Sequence, residues 1–468
     1  MAELTATGVA ARHDGAARFA LRSGAAWTLS CAAMLLVLAA PAIWNGFPII
    51  FPDTGGYLER PLLGTLDLGR SALYGVFLLA GSPLAFWPNV VAQAAIVIWV
   101  ITLTLRVLGF GGRPWLALGI VTMLSVATSL SWTASQLIPD VLFPAAVLAL
   151  SLLAFQFAAL GRWERLALAG IVIFAITSHM AAAALCAGLL AALWLLSRIP
   201  ALALPKLRLH YAAAAVALGI LLCPVSNLAI TGSFAFTPGG SSFLFGRLVE
   251  DGILDRYLED RCPDPRVVLC DYLDDMPDTA DEWLWDPDSP YAELGGWKKL
   301  AGMERDIALD TLRRYPLMHL EAAADEIFEQ LTSFATEVSL EDNEPAIEAI
   351  RKWTPRWFAQ FENARQQRDR VDVDALNDLH VPVAALAMAG LLFCVIFRRR
   401  LGWSAQLGAL GITIVLALCI NAAVCGVFSH AVDRYQSRLA PLTLLAVVLF
   451  VIERWRRLPP GASASRSP

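Results

Sequence analysis

Ten stretches of the chain stay apolar for long enough to span hydrocarbon: 26–46, 88–106, 115–133, 141–160, 166–181, 182–197, 211–230, 381–397, 404–427 and 438–453. A helix needs about 20 mostly apolar residues to cross a bilayer. The pattern therefore predicts an all-α polytopic membrane protein with about 10 transmembrane helices. Composition agrees, with 57% hydrophobic and 16% charged residues, where soluble domains carry about 25% charged. The block 166–197 is the least regular, because Ser178 and His179 divide one apolar run into two short spans. The first run follows 25 residues that lack a small-residue cleavage pattern, so it reads as a retained span.

Lys and Arg set the expected orientation. With the N-terminus inside, 17 of the 21 basic residues outside the segment 231–380 fall on the inner side, in clusters such as Arg12, Arg18 and Arg22, or Arg454, Arg456 and Arg457. The four exceptions are Arg60, Arg70, Arg434 and Arg438. This is the positive-inside pattern. The layout it predicts is an inner segment 1–25, a transmembrane core 26–230 with a first outer loop 47–87, an outer domain 231–380, three spans over 381–453 and an inner tail 454–468. The tail ends in "LPPGASASRSP", a short flexible composition.

The segment 231–380 holds 32 of the chain's 41 carboxylates against 15 Lys and Arg, so it reads as an acidic domain. It opens on the Gly-rich "TPGGSSF" and passes through "WLWDPDSPYAELGGW" before turning helical, with apolar residues at three- and four-residue spacing. Pro316 interrupts that stripe, predicting two helices that meet near Tyr315. The stripe itself is the mark of a domain core or of a seat on the membrane. Cys262 and Cys270 are the only cysteines of this segment and suit a disulfide in an oxidising compartment. A metal site there would need more ligands, and His319 is the domain's only interior histidine.

Polar residues that a bilayer penalises gather on one side. Asp53, Glu59, Arg60, Asp67 and Arg70 lie in the first outer loop; Gln136 and Asp140 at the second; His179 at the third; Arg434, Tyr435 and Arg438 at the last. Residues 72–87 of the first loop are apolar but only 16 long and broken by Gly75, Gly81 and Pro83. Counting them as a span would invert every later loop, so they read as an interfacial helix. Such a helix would roof a cleft at headgroup level.

"PDTGGYL" after the first span, then "GRSALYG", the "PD" of "QLIPDVLF", the "SH" between short spans, the "YPLMHL" break and "DRY…RLAPL" at the last span carry a resemblance. In order and placement they resemble the integral-membrane glycosyltransferases of the GT-C fold, more narrowly the protein mannosyltransferase and aminoarabinose transferase branch and its bacterial relatives. The resemblance covers most of the transmembrane chain and leaves residues 262–291 unmatched. It implies a bacterial inner-membrane enzyme with a periplasmic domain. Its donor would be a sugar on a polyprenyl-phosphate carrier, and its acceptor a periplasmic lipid, glycan or protein, with inversion at the anomeric carbon. Asp53 would then be the general base. Arg70, His179, Arg434 and Arg438 would hold the donor phosphate, while Glu59, Gln136, Asp140 and Tyr435 would orient sugar or acceptor. Thr54 stands where the family often carries a second acid, so no metal ligand set is assigned. A divalent cation is the one cofactor left open.

Each residue also has a plainer reading. Asp53 before Thr-Gly-Gly is ordinary turn chemistry, Arg70 and Arg438 at span ends can snorkel to headgroups, Asp140 after Pro139 can cap a helix, and His179 and the Arg434–Tyr435 pair can be structural. Two other functions compete. A lipid or solute transporter would place its site near the midplane in repeated broken helices. A polysaccharide ligase or polymerase would share the lipid-linked donor. The acidic soluble portion argues against nucleic acid.

Overall fold

The computed structural model describes residues 3–66, 68–236, 239–338 and 344–457, with backbone alone over 3–23. Asp67, Thr237 and Pro238 of the Gly-rich turn, and the tail 458–468 with Arg466 lie outside the described residues, as do the side chains of Arg12, Arg18 and Arg22.

Each of the ten apolar runs forms helix. Six helical stretches are long and apolar enough to cross a membrane: Gly24–Asn45 within α1 (Glu3–Asn45), α4 (Trp87–Val107), α10 (His210–Thr231), α19 (Val373–Phe397), α20 (Ala405–Phe428), and Asp433–Arg457, which comprises α21 (Asp433–Ser437) and α22 (Ala440–Arg457). The remaining runs give shorter helices, α5 (Pro114–Ala127), α7 (Leu142–Phe155), α8 (Arg162–Ser178) and α9 (Met180–Leu196). The chain is thus an all-α, multi-pass, membrane-embedded protein. A helix apolar on every side belongs in a core, and all of α7 is buried, packed by α4, α8, α9 and α20.

Polar side chains explain where the apolar stretches break. The run 115–133 stops at Thr128, whose backbone is extended (φ −146°, ψ 173°), and resumes as the short α6 (Leu130–Ser135). Ser129 and Ser131 donate to the carbonyls of Ser437 (2.7 Å) and Ser125 (2.8 Å), offering the backbone an alternative to continuous helix. At His179 the backbone is again extended, and its imidazole accepts the N–H of Ala181 at 3.2 Å to start α9. α19 begins at Val373, eight residues ahead of the apolar run, because Asp372 caps it by accepting the N–H of Ala375 at 2.9 Å.

The first loop folds into α2 (Pro52–Leu63) and α3 (Ala72–Gly81), and α3 packs on α2, α4 and α8. The inserted segment divides into two parts. Its first part, α11 (Gly240–Glu250), α12 (Ile253–Arg261), α13 (Ala280–Trp285), α14 (Pro290–Glu293) and α15 (Trp297–Arg314), has its own core around Phe245, Leu254, Trp283 and Ile307. Cys262 and Cys270 are joined by a disulfide. Tyr315 separates α15 from α16 (Pro316–Thr332), which lies along α20; there, a Cβ on Gly426 would sit 2.8 Å from the Glu326 carbonyl. Leu317, Leu320 and Phe328 of α16 remain about 70% exposed, so this part of the stripe is not buried in the domain core. α17 (Glu344–Trp353) and α18 (Pro355–Glu362) then return to the first loop, where α17 packs against α2.

Candidate active site

Backbone pairing fixes the entry to the first loop. Ile49 donates its N–H to the carbonyl of Ser135 at 3.0 Å and accepts that of Leu137 at 2.9 Å. Gln93 of α4 binds the same turn, donating to the carbonyls of Ala134 and Gln136 while accepting the Tyr74 hydroxyl at 2.7 Å. Pro52 opens α2, where a missing N–H costs nothing, and Asp53 falls in the first turn, the end of a helix that favours a carboxylate. Thr54 is fully buried; its hydroxyl accepts the N–H of Phe51 at 3.0 Å and donates to the Leu137 carbonyl at 3.2 Å.

The two glycines that follow make room on two sides. A Cβ on Gly55 would stand 2.8 Å from the Ala346 Cα of α17, and one on Gly56 would collide with the Arg70 side chain. "PDTGG" is therefore the sequence that lets α17 and Arg70 both lie against α2.

Asp53 is held by two guanidinium groups. Arg70 donates Nη2 to Oδ1 at 2.6 Å, and Arg434 donates Nη1 to Oδ2 at 2.8 Å. A quarter of the Asp53 side chain stays exposed, against 14% of Arg70 and 12% of Arg434. Burial by itself would push the Asp53 carboxyl up, but Arg70 and Arg434 outweigh it and hold the carboxyl well below the usual carboxylate range.

Behind this pair lies a second one. Asp140 accepts Arg438 Nη1 on Oδ1 at 2.7 Å, and its Oδ2 is 3.6 Å from Arg434 Nε, an ion pair beyond hydrogen-bond reach. Arg438 also donates to Asn421 at 3.0 Å and stacks 3.4 Å over the Phe143 ring. Arg438 and Asp140 are 1% and 2% exposed, so Arg438 does not snorkel. Arg434 lies over Phe51 at 4.4 Å, and both it and Arg438 are 5.1 Å from the Tyr435 ring. Three guanidinium groups thus share two aspartates inside an aromatic frame.

The strand of chain that delivers Arg434 is clamped by the inserted segment. Gln330 of α16, fully buried, donates to the Val432 carbonyl at 2.8 Å and accepts its N–H at 3.1 Å. Glu326 accepts the N–H of Ala431 at 3.1 Å, Asp433 that of Ala335 at 2.7 Å, and Glu337 that of Arg434 at 3.1 Å. Burial raises the Glu337 carboxyl above its usual value despite the neighbouring Arg434. The domain therefore positions the arginine as well as covering it.

The structure brings together Asp53, Arg70, Asp140, Arg434, Tyr435 and Arg438. His179 stands beside them, edge-on to Phe143 at 5.3 Å, with Nδ1 engaged by the Ala181 N–H. Two residues turn elsewhere. Glu59 accepts the Trp353 indole N–H at 2.8 Å, and Gln136 is buried and donates to the Glu337 carbonyl at 2.7 Å, so both join segments rather than face the cluster. Sequence reading missed Glu337, Gln330 and Asn421, and also Trp285, whose ring lies 5.1 Å from the Arg70 Cζ. Of these, only Trp285 had a signal, the aromatic-acidic run "WLWDPDSPY".

Both Asp53 oxygens face guanidinium nitrogens, and among the described residues no three His, Cys, Asp or Glu side chains converge to hold a metal ion. The arrangement offers nested cations to an anion and a carboxylate to a proton. Compared with protein-family models, curated proteins and solved structures, the chain matches none.

Proposed function

We propose that the chain is a membrane glycosyltransferase that moves a sugar from a polyprenyl-phosphate carrier to a hydroxyl of a lipid, glycan or protein acceptor, with inversion. In this reading the ten apolar helices all span, both termini lie inside, and the domain-bearing end faces the periplasm of a bacterial inner membrane. The observation that carries it is the carboxylate of Asp53 seated between Arg70 and Arg434, with Asp140 and Arg438 behind, at the end of the bundle that bears the inserted domain.

The chemistry follows from charge. The acceptor oxygen forms its bond to the anomeric carbon as the bond from that carbon to the phosphate oxygen breaks; the electron pair leaves with the phosphate, and the hydroxyl proton passes to Asp53. Arg70 and Arg434 oppose the charge that develops on the leaving phosphate. At rest these same arginines depress the basicity of Asp53. A donor phosphate competes for their N–H groups, so its binding strengthens the base just when a proton must be taken. A transporter would keep its polar groups near mid-bilayer, whereas these sit at one end.

The test is mass spectrometry of envelope glycolipids and glycans from cells with and without the chain. Loss of one hexose or pentose modification, with its polyprenyl-phosphate donor accumulating, is the expected result; identical profiles would refute the proposal.

A further inference from the structure

Residues 262–291 lie outside the resemblance drawn from the sequence, and one of them, Trp285, reaches Arg70 of the candidate site. Thr279 starts α13 by accepting the N–H of Glu282 at 3.1 Å. Trp283 is fully buried, packed on Phe245 at 5.1 Å and Tyr291 at 5.6 Å, and its carbonyl accepts the Ser289 hydroxyl at 3.0 Å. Two residues along a helix point to opposite sides, so anchoring Trp283 in the domain core turns Trp285 outward. Trp285 is 47% exposed, with Arg70 Cζ 5.1 Å from its ring centroid and the Phe243 ring edge-on at 6.3 Å. Phe243 is itself pinned, since a Cβ on Gly69 would stand 2.8 Å from its ring.

A half-exposed indole beside an ion cluster needs a reason. As a cover for Arg70 alone, a buried and smaller apolar residue would serve. An indole with open area next to carboxylates and guanidiniums is instead suited to a ring that is apolar on one face and polar at its rim, and a pyranose or furanose has that form: C–H groups for the aromatic face, hydroxyls for Asp53 and its arginines.

We propose that Trp285 is the platform on which the sugar ring of the substrate stacks, so that the unmatched segment supplies sugar recognition while the bundle supplies phosphate binding. The proposal rests on the glycosyl-transfer reading of the Asp53 site. Trp285 is a specificity-determining residue here, and its neighbour Arg70 ties the sugar to the base: one Arg70 nitrogen is 2.6 Å from Asp53.

The test uses the full chain in nanodiscs, with dissociation constants from native mass spectrometry. The probes are undecaprenyl phosphate and the same lipid carrying glucose, mannose, galactose or 4-amino-arabinose. Wild type should prefer at least one sugar-bearing lipid over the bare lipid by about tenfold, a change on the scale of an aromatic contact. Trp285→Ala should abolish the preference while binding the bare lipid within about twofold of wild type, and Trp285→Phe should restore part of it. If Trp285→Ala keeps the preference, or weakens bare and glycosylated lipids alike, the indole is only a cover for Arg70 and the proposal is overturned. If wild type binds the bare lipid and no sugar-bearing lipid better, the platform is refuted while the phosphate site stands. If wild type binds none of these lipids, the glycosyl-transfer reading falls as well.

Discussion

The two ends of the helical bundle use the same side chains to different effect. At the end away from the inserted domain, Arg106 pairs with Glu164 at 2.7 Å beside a cavity of about 360 Å³ lined also by Trp27, Trp99 and Arg113. Those partners are 50% and 28% exposed, and such surface pairs contribute about 0–1 kcal/mol. At the domain-bearing end, Arg438 and Asp140 are 1% and 2% exposed, and Asp53 is reached from Arg70 and from Arg434 by segments far apart in the chain. Arginine near a carboxylate and a tryptophan is therefore no sign of a site by itself. What separates the two ends is shielding from water and the number of independent segments that converge.

The comparison can be broken in stages. Arg438→Ala should have the largest effect on stability, because it strands Asp140 without its closest cation; losing one partner of a buried ion pair costs about 3–5 kcal/mol. A clear drop in the melting temperature of the purified protein is expected, and a wild-type melt would reduce this cluster to the standing of Arg106–Glu164. Next, Arg434→Lys keeps the charge but not the fork that addresses both Asp53 and Asp140. Transfer should fall about 10- to 100-fold, the range for a charge-assisted hydrogen bond, with little change in the melt.

Smaller effects sharpen the picture. The Glu337 carboxyl titrates above its usual value in the folded protein, so the folded state holds its proton to higher pH than the unfolded chain does. Its contribution to stability is thus greatest in acid and falls as pH rises through the range just above an ordinary glutamate pKa. Glu337→Gln retains an oxygen to accept the Arg434 N–H, and it should flatten that loss in a series of melts across pH 4 to 7, a window about the ordinary glutamate value. Last, Glu164→Gln at the opposite end should change both stability and transfer by less than about 1 kcal/mol. An effect as large as that of Arg438→Ala would erase the contrast between the ends.

Much of this contrast was legible before the fold. Bilayer thickness imposes a length on apolar runs, which is why all ten appear as helix, and polar residues at span ends stand out because hydrocarbon penalises them; Asp53, Arg70, Asp140, Arg434 and Arg438 were found that way. Geometry across long separations was not legible. Nothing near Gln330 in sequence shows that it clamps Val432, and nothing near Arg438 shows Asn421 and Phe143 closing around it. Gln136 and Glu59 had the right residue type at the right depth but turned to other partners. The break at Thr128 was hidden in an apolar average, since three hydroxyls barely lower it. The helix that begins at Pro316 is legible from its apolar spacing, whereas its packing partner α20, about a hundred residues further along the chain, is not.

The most direct test is complementation by Asp53→Asn, with Glu164→Gln as the control at the other end, in cells that lack the native chain. Asparagine keeps an acceptor for Arg70 or Arg434 and cannot take up the acceptor's proton. At wild-type protein levels in the membrane, the glycan modification should fall by about 10²- to 10⁴-fold, the usual share of a general base, while Glu164→Gln restores it in full. An undiminished modification with Asp53→Asn would contradict the claim that this carboxylate, between its two arginines, carries the chemistry.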